Sequence, residues 1–273
     1  MGRVIVYHDN CHDGITALWC ALQKWPDAEP YPGKYDVPPD LERLRDKDVA
    51  IVDFSWKRAA MSAVRDVASS LLVLDHHKTA EEELRGFNDG FESDTDLVVF
   101  DMERSGAGLA WDYLVGGDRP PLISFVEDRD LWRFELPKSR EVHAACGSYP
   151  LTLEARSRLM ETPILQLMSE GTSILRYHDR LVEETAKNAV RGRVGSWTVP
   201  VIHCPTIAIA SDLGHRLAQG EPFAAIYTER EDGTRVYQLR STPEGEDVSE
   251  IARLWGGGGH RNAAGFTAVK GSI

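Results

Sequence analysis

Three consecutive residues, Asp75-His76-His77, offer a carboxylate and two imidazoles directly after the apolar run Leu71-Leu72-Val73-Leu74. Carboxylate oxygen together with imidazole nitrogen suits manganese, iron or zinc, and carboxylates alone suit magnesium. A second set, His8-Asp9-Asn10-Cys11-His12-Asp13-Gly14, follows the apolar run Val4-Ile5-Val6-Tyr7 and opens a segment of helical spacing. Most of its side chains can ligate a metal or hydrogen-bond a phosphate. Gly14 permits close backbone approach, and a helix N-terminus favours an anion. The bland readings are a surface turn for Asp75-His76-His77 and a helix cap for Asp13, but the two sets occur on neighbouring apolar runs. Asp53 and Asp101 end two further runs of this kind. Glu127-Asp128-Arg129-Asp130 lies between Val126 and Leu131-Trp132, so burial of at least one of its acids is expected. Such a collection can hold two ions close together, and a pair of ions clamps a phosphate and activates a water for hydrolysis. No Gly-x-Ser-x-Gly elbow is present to suggest a serine nucleophile.

The last motif is Gly256-Gly257-Gly258-Gly259-His260-Arg261-Asn262-Ala263-Ala264-Gly265. Amides in a glycine run can converge on an anion. A flexible linker is the alternative, but His260, Arg261 and Phe266 speak for a binding loop. Arg240-Ser241 closes an expected strand nearby and supplies a cation for phosphate or for stacking on a base.

The elements that must position these residues follow from periodicity. Residues 4–7, 49–52, 71–74 and 97–100 read as buried strands, each followed by a helical pattern, with apolar Ile15, Leu18, Trp19 and Leu22 marking the first helix. This alternation implies a parallel sheet covered on both faces. His8, Asp53, Asp75 and Asp101 all stand at strand ends, where open parallel sheets bind ligands. Residues 26–39 contain five prolines and read as a loop. Thr79 and Glu82 have the spacing of a capping box. Residues 152–190 are dominated by helical spacing, and strand-like segments return at 197–203, 223–227 and 235–240 before a helical stretch at 248–255. The expected organisation is therefore an α/β parallel-sheet domain (1–150), a helical connector (151–190) and a smaller α/β domain (191–273), with a cleft between the two domains.

A net charge of −12 disfavours a protein that grips long nucleic acid by its backbone, so a nucleotide partner should be small and held locally. Cys11, Cys20, Cys146 and Cys204 form no CxxC pair, which argues for a reducing, cytoplasmic setting without a disulfide scaffold. No apolar run is long enough to span a bilayer, and the first one turns polar at His8, too early for a signal peptide.

With Asp75-His76-His77, Asp53, Asp13-Gly14 and the Gly256-to-His260 segment in this order, the chain resembles the DHH phosphoesterase superfamily, in particular its RecJ-like and nano-RNase branch. The C-terminal part resembles that branch's DHH-associated substrate-binding domain. The resemblance implies two divalent cations, manganese first and magnesium second, held by His8, Asp13, Asp53, Asp75, His76 and Asp128. It implies that Asp75, His76 and His77 carry the catalysis, with His77 touching the phosphate or leaving group. It further implies that Arg240, Gly257, Gly258, Gly259 and His260 hold the rest of the nucleotide. One departure stands out: the first motif lacks one of its two usual carboxylates, leaving Asp9, Cys11 or His12 to complete the second metal site. The activity so implied is hydrolysis of dinucleotides or short oligonucleotides to nucleoside monophosphates. The competing readings are a phosphatase for small nucleotide phosphomonoesters and a nucleotide-binding protein with a decayed metal site.

Overall fold

The computed structural model describes residues 2–35, 37–90 and 96–269. The chain forms two compact units, Met1–Ile174 and Leu175–Ile273.

The first unit runs β1 (Arg3–His8), α1 (His12–Lys24), β2 (Glu29–Gly33), α2 (Leu41–Leu44), β3 (Asp48–Val52), α3 (Arg58–Val67), β4 (Ser70–Asp75), α4 (Lys78–Glu83) and β5 (Leu97–Phe100). It continues with α5 (Gly106–Ala110), a π-helical turn (Trp111–Val115), α6 (Pro121–Asp130), α7 (Ser139–Gly147), α8 (Leu153–Glu161) and the start of α9 (Ile164–Ala186). The five strands lie in the order β2-β1-β3-β4-β5, all parallel.

The inner strands β1, β3 and β4 are apolar along their middles because both faces of the sheet are covered there. Side chains alternate between faces with period two. Ile5, Ala50, Val52 and Leu74 join a core with Leu18, Leu109, Leu122 and Val142 from the helices on one side. Val4, Val6, Ile51, Leu71 and Val73 join Leu44, Met61 and Val64 on the other. The chain leaves β1 toward β2 on one side and returns through β3 on the other, so the strand order reverses at β1. Ligand sites of open α/β sheets lie beyond the strand ends at such a reversal.

Two expectations are corrected. The segment 26–39 is not all loop, since Glu29–Gly33 pairs with β1. Pro30 and Pro32 are tolerated because β2 is an edge strand, with no neighbour demanding an N–H on its outer side. Thr79 is not the N-cap: α4 starts at Lys78 and its N-cap is His77, whose side chain makes no capping bond.

The second unit holds the rest of α9, then β6 (Val190–Val194), β7 (Trp197–His203), α10 (Ile207–Leu217), β8 (Ala224–Glu229), β9 (Thr234–Arg240), α11 (Val248–Arg253), β10 (Gly258–His260) and β11 (Ala263–Val269). Its sheet has the order β10-β11-β9-β8-β7-β6 and is antiparallel except for β7 with β8. One core lies under α11 around Phe223, Tyr237 and Phe266, and another under α10 around Ile209, Leu213 and Ile226. Among the described residues, no helix is long and apolar enough to cross a membrane.

Candidate metal centre

Sheet register brings the first three groups together. Tyr7 is level with Val52, and Val52 with Leu74, so His8, Asp53 and Asp75 follow in one row across adjacent strand ends. Asp53 turns there with a φ of 56°, a left-handed conformation that aspartate tolerates better than bulky residues. His76 Nε2 is the hub of the cluster. It lies 3.0 Å from Asp53 Oδ1, 3.6 Å from Asp13 Oδ2 and 3.5 Å from Asp130 Oδ2. Asp13, Asp53, Asp75 and His76 are all buried.

Asp13 comes from the first turn of α1, whose N-cap is Cys11. Its carboxylate does not cap its own helix; it accepts hydrogen bonds from Gly106 N at 2.5 Å and Ala107 N at 3.0 Å. Asp13 thus ties α1 to the N-terminus of α5, the favourable end for negative charge. A Cβ on Gly14 would fall 2.2 Å from the His8 carbonyl oxygen, so only glycine lets α1 start this close to β1.

Asp75 holds the histidine pair in place. Its Oδ1 accepts from His76 N at 2.8 Å and sits 2.7 Å from His77 Nδ1; its Oδ2 accepts from Ser55 Oγ at 2.6 Å.

So many buried acids impose a demand for positive charge. Burial and the neighbouring charges of Asp53 and Asp130 hold the Asp13 carboxyl well above its ordinary range, and burial raises Asp130 too. Burial alone would lower His76; the hydrogen bond to Asp53 and the charges of Asp130, Asp53 and Asp13 outweigh it and hold the imidazole at about 10. Burial would raise Asp53, but His76 and His8 overcome it and keep this carboxylate well below its usual range. Yet Asp53 Oδ2 and His8 Nδ1, 3.6 Å apart and buried, have no hydrogen-bond partner among the described residues.

Among the described residues of this unit, three donor sets each lie within 4.8 Å: His8, Cys11 and Asp53; Asp13, Asp53 and His76; and Asp53, Asp75 and His77. Asp53 belongs to all three. Orphaned donor atoms and interlocking carboxylate–imidazole sets fit a centre for divalent cations.

Several expected residues are elsewhere. Asp128 is buried but occupied: its carboxylate accepts from Glu135 N and Leu136 N at 2.8 and 3.3 Å, fixing the loop after α6. Asp130 is the acid of that run beside His76. Asp101 does not reach the cluster; it accepts from Glu103 N and pairs with Arg104 at the turn after β5. Asp9 pairs with Lys34. His12 accepts from Arg156 at Nδ1, and burial together with the Arg156 and Arg129 charges pushes its pKa down to about 3.

The sequence gave no pointer to Ser55, to buried Arg156, or to an aromatic wall in which the Tyr35 ring lies 5.2 Å from His8 and 4.8 Å from Phe54. All three depend on contacts distant along the chain.

In the second unit, Gly258, Gly259 and His260 form a strand, β10, instead of an open loop. Gly259 pairs with Ala264 and has a φ of 138°, and a Cβ on Gly257 would meet the Gly265 carbonyl oxygen at 2.0 Å. Close packing on β11 therefore accounts for at least these two glycines. Arg240 ends β9; its guanidinium reaches Ser211 Oγ, the Leu239 carbonyl and Gln238 Oε1.

No family model matches the sequence. The fold matches RecJ of Thermus thermophilus, solved in complex with Mn2+, with a TM-score of 0.51 and 16% identity over 97% of this chain and 49% of RecJ. It also matches the pGpG-specific phosphodiesterase PggH of Vibrio cholerae, with a TM-score of 0.50 and 12% identity over 99% of this chain and 94% of PggH. The likeness to RecJ and PggH is one of fold, with Asp75-His76-His77 at the carboxyl edge of the parallel sheet. The chain belongs to the family of uncharacterized protein R106 of Acanthamoeba polyphaga mimivirus, with which it is 32% identical over 99% of its own length and 69% of R106.

Proposed function

We propose that this protein is a metal-dependent phosphodiesterase, with manganese as the working ion, which hydrolyses dinucleotides or short oligonucleotides to nucleoside monophosphates. The observation that carries the reading is the convergence of His8, Asp13, Asp53, Asp75, His76 and Asp130 at one end of the parallel sheet. These residues would hold two divalent cations. The chemistry such ions supply is charge against phosphoryl oxygens and activation of a water.

The chain's own groups complete the reaction. Asp75 orients His77 through Nδ1, and burial, which would lower that imidazole, is outweighed by the Asp75 charge and hydrogen bond, so its pKa is raised. A protonated His77 donates from Nε2 to the leaving-group oxygen as its bond to phosphorus breaks. Tyr35, exposed beside His8 and packed on the buried Phe54 ring, offers an apolar face against which a base or ribose can rest. The net charge of −12 favours a short substrate over a long strand. PggH, whose fold matches over almost its whole length, acts on a dinucleotide.

The test is a panel of mononucleotides, linear di- to pentanucleotides and cyclic dinucleotides with manganese, products resolved by chromatography. Nucleoside monophosphate release from the short oligomers is expected, and Asp75→Ala or His76→Ala should abolish most of it with the fold retained by circular dichroism. Turnover of monoesters alone would replace this reading with a phosphatase. Binding without turnover would replace it with a nucleotide sensor.

A further inference from the structure

We infer that Cys11 is a metal ligand of this centre, so that one of its cation sites is a thiolate–imidazole–carboxylate site formed by Cys11, His8 and Asp53. The inference rests on the metal-centre reading above and adds to it which ion the site prefers.

Three groups of the first motif compete for the role, and the structure separates them. Asp9 is drawn away by Lys34, at 3.2 Å. His12 is held by Arg156 at Nδ1, with its ring edge-on to His143. Cys11 alone of the three has its donor atom within 4.8 Å of donor atoms of both His8 and Asp53. It occupies the N-cap position of α1 in extended conformation, with φ −122° and ψ 137°, yet its side chain makes no capping hydrogen bond. The contact of Gly14 with the His8 carbonyl fixes how closely that first turn approaches the end of β1.

A second observation, independent of the cysteine, points to an ion there. Asp53 Oδ2 is a carboxylate oxygen on a residue only 1% exposed, and it has no hydrogen-bond partner among the described residues. Facing it at 3.6 Å is His8 Nδ1, equally without one. An unsatisfied buried acceptor and an unsatisfied buried imidazole nitrogen are costly apart and natural around a shared cation. Ligands of one zinc-sized ion stand about 3.4–3.6 Å apart, given metal–ligand distances of roughly 2.0–2.3 Å. A side-chain adjustment of about 1 Å brings all three donors to that spacing.

Sulfur changes the selectivity. Thiolate is a soft ligand that favours zinc, iron and cobalt over manganese and magnesium. Binding forms a sulfur–metal bond and releases the thiol proton to solvent. The site that includes Cys11 should therefore take zinc, cobalt or ferrous iron in preference to manganese, while the set Asp13, Asp53 and His76 keeps oxygen and nitrogen donors only.

The test uses the full chain titrated with Co2+ under reducing conditions, read by its near-ultraviolet absorption. A sulfur-to-cobalt charge-transfer band is expected in the wild type. The band should be lost in Cys11→Ser, although Cys20, Cys146 and Cys204 remain. Cys11→Asp should bind cobalt without the band and shift the zinc-to-manganese preference toward manganese. Cobalt bound by the wild type without the band, or a band that survives in folded Cys11→Ser, would overturn the ligand assignment and leave the metal centre standing. Failure of the wild type to bind cobalt, zinc or manganese would overturn both.

Discussion

Gly106 is the position where the packing of the centre is least forgiving. A Cβ added there would lie 2.3 Å from Asp53 Cβ and 2.8 Å from its Cα. Ordinary carbon contacts are about 3.5–4.0 Å, so one partner must move by more than about 1 Å. Asp53 is poorly placed to yield: its amide donates to the Leu74 carbonyl at 2.9 Å, and its backbone is left-handed. α5 must therefore retreat, drawing Gly106 N and Ala107 N away from the Asp13 carboxylate. Overpacking costs about 1–3 kcal/mol. Each hydrogen bond to a charged group contributes about 1.5–3 kcal/mol. With partial relaxation, Gly106→Ala should destabilise the first unit by about 3–5 kcal/mol. Urea unfolding followed by circular dichroism and tryptophan fluorescence, with one transition allowed per unit, measures it. Gly147→Ala is the control: a Cβ there meets nothing within 4 Å, at the end of α7, so that variant should be neutral or gain about 0.4–1 kcal/mol. A Gly106→Ala protein within about 0.5 kcal/mol of wild type, the range of ordinary surface substitutions, would refute this account of how α1, α5 and Asp53 are locked together.

Two acids only two residues apart should behave in opposite ways. Asp128→Asn weakens two amide hydrogen bonds and should lower stability by about 1.5–3 kcal/mol while sparing metal affinity. Asp130→Asn removes a like charge close to Asp53 and should leave metal-free stability unchanged or higher while lowering metal affinity; calorimetric metal titration beside urea unfolding distinguishes the two, and the reverse pattern would restore Asp128 to the centre. Asp112 is held below the usual carboxylate range by its hydrogen bond from Arg119, against burial and with help from Arg104. Its stabilising contribution is present above the unfolded-state value of about 3.9 and is lost as pH falls through the folded value, so Asp112→Asn should be less stable than wild type at pH 7 and the gap in urea midpoint should close in acid; a gap that widens there would contradict the pairing.

What was legible in the sequence follows the range of the interactions involved. β3, β4 and β5 show as apolar runs because both faces of the sheet are buried, and the acid or histidine after such a run is placed by the strand itself. His8, Asp53 and Asp75 could be read in that way. β2 could not, because Pro30 and Pro32 hide a strand that exists only at the sheet's edge. The acidic run of α6 has two destinations. Asp128 is buried by a loop that folds back from residues 135 and 136, whereas Asp130 stays partly exposed and reaches His76. No local periodicity distinguishes them. Asp13 looked like a cap and is one, but for α5, more than ninety residues on. The glycine run reads locally as an anion-binding loop, while its strand pairing with β11 depends on a partner beyond the motif.

Equilibrium dialysis of the purified chain against manganese or zinc, with metal content measured per folded chain, bears most directly on the claim that these side chains cage a pair of cations. Two ions per chain are expected for the wild type and fewer than one for Asp53→Asn, because Asp53 is common to every donor set of the first unit. A wild-type protein that retains no metal, or a folded Asp53→Asn variant that retains as much as wild type, would contradict it.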